Sequence, residues 1–187
     1  MYDTTHFKKG LKIEMDGNLW SIVEFQHVKP GKGGAFVRTR VKNLLTGQVI
    51  DRTFRSGDKV GAPDCVEIDT TFLYFDGEYN FMDTSTYDTF AIDESVIGDD
   101  KNYLVEQVEV SVLMYNKRPV AIELPNFIIA DITECQPGVA GNTATGATKP
   151  VTIVTGYELQ VPLYIKETDQ LKIDTRTGDY VERVKIS

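Results

Sequence analysis

The chain has 187 residues, of which 41% are hydrophobic and 26% charged, so it can build buried cores and does not have the composition of a disordered chain. No apolar run approaches the roughly 20 residues of a membrane helix, and Met1 to Gly10 is too polar for a secretory leader. The net charge of -8 is uneven: residues 1–64 carry +4, residues 65–127 carry -10 and residues 128–187 carry -2.

Short strands dominate in chain order. Asp16-Gly17 marks a first tight turn, and the β-branched and aromatic run Leu19 to Phe25 follows it. Val28-Lys29-Pro30-Gly31-Lys32-Gly33-Gly34-Ala35-Phe36 then interrupts two strand-forming stretches. It predicts a β-hairpin with one long side chain, Lys32, held out among glycines that contribute no bulk. Pro30 fixes its own φ and biases Lys29 towards an extended backbone. Arg38, Arg40 and Lys42 are spaced by two, so they share one strand face. Three cations there do not pack a core, and a phosphate track fits them better than a merely solubilising surface.

Thr46-Gly47 is the next turn signal, and the polar Gly/Pro-containing stretch Ser56 to Asp64 marks a boundary where the charge changes sign. Phe72 to Phe75 and Val108 to Tyr115 predict further strands, with turns at Asp76-Gly77, Asn116-Lys117 and Thr177-Gly178. A helix is expected from Asp99 to Gln107, with acidic residues in its first turn. A second boundary is expected at Leu124 to Phe127. Gln136 to Thr148 is uncharged and rich in Gly, Ala and Thr, as an exposed loop would be. The pattern is all-β, with small antiparallel barrels over residues 1–64, 65–127 and 128–187.

Familiar catalytic arrangements are absent. A P-loop fails around Gly31-Lys32, because Gln26 stands at the first glycine and Gly33 at the hydroxyl position. The sequence has no GxSxG or HExxH, and His6, His27, Cys65 and Cys135 lack metal-ligand spacing, so no metal or cofactor is expected. The cysteines fit reduced cytoplasmic thiols. His27 and Trp20 are assigned to ordinary packing. Asp93-Glu94 and Asp99-Asp100 are assigned to surface or helix N-terminus, not to a hydrolase pair.

Several stretches in order resemble the bacterial translation elongation factor P family, whose eukaryotic and archaeal counterpart bears hypusine. They are Val28 to Phe36 with Asn43-Leu44-Leu45-Thr46-Gly47, Phe72 to Glu78, Ile97-Gly98-Asp99, Leu124 to Phe127, Lys149 to Leu163, and Asp174 to Val184. The resemblance spans essentially the whole chain. It implies a KOW/SH3-like barrel followed by two OB-fold barrels in an L-shaped, tRNA-like arrangement. It also implies a non-enzymatic factor that binds the ribosome between the P and E sites and relieves stalling at consecutive prolines by positioning the CCA end of peptidyl-tRNA.

The tip position of that family matches Lys32, which in many members carries an enzymatically added extension. Pro30, Gly31, Gly33 and Gly34 support it, with Lys29, Arg38, Arg40 and Lys42 facing RNA. The implied partners are ribosomal RNA and proteins, the P-site peptidyl-tRNA, the E-site mRNA codon and a lysine-modifying enzyme, with no membrane. Gly141-Asn142-Thr143 stands where the family loop reads Gly-Asp-Thr, which removes a charge near the messenger; Tyr180 and Arg183 match late RNA-facing positions. Val151 and Thr168 also depart from the family signature, at positions tied to packing and a turn. The alternative is a general single-stranded RNA-binding OB-fold module, for which Tyr74, Tyr79 and Phe81 are the candidate stacking platforms.

Overall fold

The computed structural model describes residues 1–137 and 147–184. The chain divides into two units: Met1–Val66 with Leu113–Ala121, and Glu67–Val112 with Ile122–Ser187. The first is built on β1 (Tyr2–Asp3), β2 (Lys12–Met15), β3 (Asn18–Val28), β4 (Phe36–Asn43), β5 (Val49–Arg55) and β6 (Lys59–Val60). Strands β2-β3-β4-β5 form a four-stranded antiparallel sheet, and β1 pairs with β6.

Period-2 alternation builds the core. Val37, Thr39, Val41 and Asn43 of β4 point inward while Arg38, Arg40 and Lys42 point out. Val37 and Val41 join Phe7, Ile13, Trp20, Ile22 and Phe54 in one core cluster. Trp20 is buried, as expected, and its indole N–H donates to the Met15 carbonyl at 3.0 Å. The buried Thr39 hydroxyl donates to the Arg52 carbonyl at 2.7 Å, so burial leaves it satisfied.

Next come β7 (Cys65–Phe75), β8 (Tyr79–Asp83), β9 (Thr89–Ile92), α1 (Glu94–Ile97), β10 (Glu109–Tyr115) and β11 (Arg118–Glu123), with sheet order β11-β10-β7-β8-β9. The last sheet has order β14-β13-β12-β15-β16 and contains β12 (Phe127–Cys135), β13 (Thr148–Ile153), β14 (Glu158–Pro162), β15 (Gln170–Asp174) and β16 (Tyr180–Val184). Its pairings are antiparallel, and Ile128, Ala130, Val151, Ile153, Val161, Leu171 and Ile173 fill its core. Among the described residues, no helix is long and apolar enough to cross a membrane.

The helix expected from Asp99 to Gln107 needs correction. Helical turns begin earlier, where the Asp93 carboxylate caps α1 by accepting from the Ser95 N–H at 2.8 Å. Gly98, at φ +55°, breaks the axis, and a 3-10 turn occupies Gly98–Tyr103. Beyond it the chain is claimed by β7: the Gln107 N–H donates to the Phe72 carbonyl and the Phe72 N–H to the Val108 carbonyl, both at 2.9 Å. Tyr103 and Val105 pack against the core of the last sheet. Tertiary pairing overrides local propensity there.

One six-residue turn recurs in each of the three larger sheets: Asn43–Gln48, Asp83–Asp88 and Asp174–Asp179. In each, the first side chain accepts backbone N–H groups two and three residues on; the last of these contacts in the third turn also helps hold the Asp174 pKa down. The fifth residue's N–H donates to the first residue's carbonyl at 2.7–2.8 Å. That fifth residue has positive φ in all three: Gly47 at +80°, Gly178 at +80°, and Tyr87 at +63°. Glycine meets the requirement without strain. The tyrosine does not, and its side chain is 72% exposed.

Candidate functional site

The expected finger is the hairpin of β3 and β4. Strand β2 and the residues just before it bond β3 only as far as Ile22, where Gly10 and Leu11 are its partners, so from Glu24 onward β3 pairs with β4 alone. A register shift between Ile22 and Glu24 disrupts the inward alternation, and Glu24, Phe25, Gln26 and His27 are all exposed. The hairpin therefore runs out of its own core before it turns. His27 sits on this outer section and meets the Phe25 ring edge-on at 5.7 Å.

At the turn, Lys29, Pro30, Gly31, Lys32, Gly33 and Gly34 are all exposed. Among the described residues, none of these six makes a hydrogen bond or ion pair. Gly33 adopts φ +112°, a conformation closed to residues with a Cβ, while Gly31 and Gly34 have open space where a Cβ would stand. Backbone amides, carbonyls and the Lys32 ammonium at this tip are thus all directed to solvent. An incoming acceptor such as a phosphate would meet donors that give up no internal bond.

The basic stripe faces outward as expected, but it is not uniformly basic. Arg40 lies between Glu24 on β3 and Asp51 on β5, with Nη1 at 3.7 Å from Glu24 and Nε at 3.2 Å from Asp51. The Asp51 hydrogen bond, then the two carboxylate charges, raise the Arg40 pKa above its usual value. Arg38 lies between Gln26 and Thr53, with its guanidinium 5.5 Å from the Phe36 ring centroid. Lys42 lies between Ser21 and Val49. Among the described residues, Arg38 and Lys42 have no carboxylate partner, so they are the cations this face offers outright. Arg38 and Arg40, but not Lys42, line a shallow recess of about 560 Å³ that Arg52 also borders. Sequence reasoning missed the acidic flanks because it needed the register of three strands to see them.

Tyr180 and Arg183, expected to face RNA, lie on β16 in the second unit. The Tyr180 hydroxyl is 3.2 Å from that of Tyr164, and the Arg183 guanidinium lies 5.6 Å from the Tyr164 ring centroid. Arg183 is also 3.9 Å from Asp169. Burial, then the Tyr164 hydroxyl, push the Tyr180 phenol up to about 12, so it stays protonated and can donate. Tyr164 is the residue that sequence reasoning did not find; only the fold brings it within reach. Gly141, Asn142 and Thr143 lie outside the described residues.

The stacking platforms of the single-stranded RNA alternative need correction. Tyr79 and Phe81 alternate inward on β8, where Phe81 is fully buried and meets Phe72 at 5.3 Å between ring centroids. Only Tyr74 of the three is exposed. No group of His, Cys, Asp and Glu among the described residues could hold a metal ion.

Comparison with known proteins covers nearly the whole chain. Residues 3–60 match the Elongation factor P KOW-like domain, residues 66–122 the Elongation factor P OB domain, and residues 122–183 the Elongation factor P C-terminal domain. The chain is 47% identical to Elongation factor P of Clavibacter michiganensis over 98% of this chain and 99% of that one. It is 48% identical to Elongation factor P of Mycobacterium avium over 98% and 99%. The counterpart from Bdellovibrio bacteriovorus is 47% identical over 98% of each chain. Among solved structures, translation initiation factor 5A from Methanococcus jannaschii aligns with TM-score 0.52 and 22% identity, covering 66% of this chain and 92% of that one. That likeness speaks to the fold.

Proposed function

The chain belongs to the elongation factor P family and is a translation elongation factor; from that premise we propose that it binds the ribosome between the P and E sites and promotes peptide bond formation at consecutive prolines. Lys32 carries the reading. It stands at the end of a slender hairpin whose tip keeps no bond for itself. Proline restricts the geometry of attack through its ring, and holding the CCA end of peptidyl-tRNA in a productive pose lowers that barrier without an acid or base. On this reading the factor makes and breaks no bonds.

Arg38 and Lys42 neutralise phosphates alongside the tip, and Lys29 does so at its base. Arg40 contributes only as far as RNA displaces Glu24 and Asp51. Tyr180, Arg183 and Tyr164 meet ribosomal RNA, and Gly141, Asn142 and Thr143 face the E-site codon, where asparagine still donates and accepts hydrogen bonds but lacks the charge of the family's aspartate. The three-part division at 1–64, 65–127 and 128–187 follows the same reading, as does a cytoplasmic location. A lysine-modifying enzyme extends Lys32, whose exposure leaves it accessible from all sides.

The test is Lys32→Ala. The variant is expected to fold with stability within about 0.5 kcal/mol of the parent, because the residue is exposed and unbonded. Synthesis of a reporter with consecutive proline codons should fall to the level of cells lacking the protein. Normal synthesis with Lys32→Ala would overturn the positioning role.

A further inference from the structure

A second surface, in the other unit, has no part in the role of Lys32. A groove of about 840 Å³ runs between the aromatic end of β7 and the outer face of β12, within the unit Glu67–Val112 with Ile122–Ser187. Its floor is Phe72, Tyr79 and Leu104, all buried. On its walls Tyr74, Phe75, Ile129 and Val154 are each between 43% and 56% exposed. The register of β7 against β8 shifts between Phe72 and Tyr74, and Tyr74 and Phe75 are then both exposed. Four large apolar side chains open to solvent around one depression mark an interaction site more often than chance exposure.

The polar groups of the groove narrow what it can hold. Thr155 donates its hydroxyl to the Asn102 carbonyl at 2.7 Å, Gln170 donates to Asp131 at 2.8 Å, and Lys101 is 3.5 Å from Glu94. These groups are committed to one another, so the groove lacks the convergent polar set that orients a small polar ligand. The remaining charge is negative. Glu106 and Asp131 line the groove, and Asp76 and Glu78 stand in the turn directly after Phe75. Among the described residues none of the four has a cationic partner. Such a rim repels a phosphate backbone and attracts ammonium and guanidinium groups.

We propose that this groove is a docking site for an extended, basic segment of a protein partner, with apolar side chains seated on Tyr74, Phe75, Ile129 and Val154 and alternate Lys or Arg residues reaching the carboxylates at the rim. An extended chain sends successive side chains to opposite faces, which matches an apolar floor beneath a charged rim.

The test uses the full chain and a fluorescently labelled peptide of about nine residues that alternates Lys with Val and Ile, read by anisotropy. A matched Glu peptide and a short oligouridylate serve as competitors. Saturable binding of the basic peptide is expected, with neither competitor displacing it. Phe75→Ser and Ile129→Ser, both at exposed positions, should each weaken it about tenfold, and Glu106→Lys about threefold or more. Glu123→Lys, at a separate acidic cleft lined by Asp69 and Glu109, should leave it unchanged. Absence of binding at millimolar peptide, displacement by oligouridylate, or equal effects of Glu106→Lys and Glu123→Lys would each overturn the proposal.

Discussion

Strand β4 is flanked by two turns that solve opposite problems. At its C-terminal end, Asn43–Gln48 is closed on itself: the Asn43 side chain accepts from Leu45 and Thr46 at 2.8 and 3.1 Å, and its backbone is bonded to Gln48 and Gly47 at 2.7 and 2.8 Å. At its N-terminal end, Lys29 to Gly34 makes no internal bond among the described residues. The first turn spends its polar groups on holding two strands in register. The second leaves them to water, where exchanging solvent for a partner removes nothing from the fold. Both turns contain glycine at positive φ, so glycine alone does not tell a structural turn from a presenting one. The hydrogen bonds do.

The sharpest break of this comparison is expected at the third copy of the closed turn. A Cβ on Gly178 would stand 2.4 Å from the Tyr157 hydroxyl oxygen and 2.8 Å from that of Tyr103. It would also displace the bond that Tyr157 donates to the Gly178 carbonyl at 2.9 Å. Gly178→Ala should therefore cost about 3 kcal/mol or more in denaturant unfolding. Gly47→Ala shares the same φ of +80° but meets nothing within 4 Å, so it should cost only the backbone strain, about 1–2 kcal/mol. Equal losses would show that φ, and not the tyrosine pair, sets the requirement.

Asn43→Ala comes next. Asn43 is buried, and its removal leaves two turn amides without an acceptor. A loss of about 2 kcal/mol is expected by the same measurement, several times any effect of Lys32→Ala. Were the two variants equally stable, the contrast between the ends of β4 would be cosmetic.

Tyr87→Gly should move the other way. Tyr87 holds φ +63° where the equivalent turns place glycine, and little of its side chain is packed. Relief of strain, less the extra freedom glycine gives the unfolded chain, predicts a gain of about 0.5–1 kcal/mol. A loss would mean that the tyrosine ring makes a stabilising contact.

Much of this was legible in the sequence, for physical reasons that differ by residue. Lys32 announced itself because glycine and proline constrain the backbone locally. The outward Arg38, Arg40 and Lys42 followed from strand periodicity alone. The pairing of Arg40 with Glu24 and Asp51 was not legible, since it depends on which residues three strands bring abreast. Tyr164 lies 16 residues from Tyr180 and meets it only through the fold. The expected helix failed because acidic residues at Asp99 and Asp100 suit a 3-10 turn equally well, and Phe72 recruits the backbone at Gln107 and Val108. Tyr79 and Phe81 were misplaced because an aromatic on a strand gives no sign of its face until the neighbouring sheet is known.

The smallest expected effect separates two copies of the closed turn by pH. Asn43 and Asp174 play the same part, but only the aspartate titrates. Hydrogen bonds from the Arg176 side chain and backbone hold the Asp174 carboxyl below the usual carboxylate range, with the guanidinium 2.9 Å away. A carboxyl depressed in the folded state stabilises fully above its unfolded pKa, and that contribution is lost as pH falls through the folded value. Hydrogen exchange at the Gly178 amide, which donates to the Asp174 carbonyl at 2.7 Å, should therefore lose protection as the pH drops below about 4. The Gly47 amide, bonded to the Asn43 carbonyl at 2.8 Å, should keep its protection over the same range. Asp174→Asn should make the two amides respond alike. If the parent's two amides already do so, the carboxylate adds nothing that the neutral amide of Asn43 does not supply, and the closed turn owes its order to backbone bonds alone.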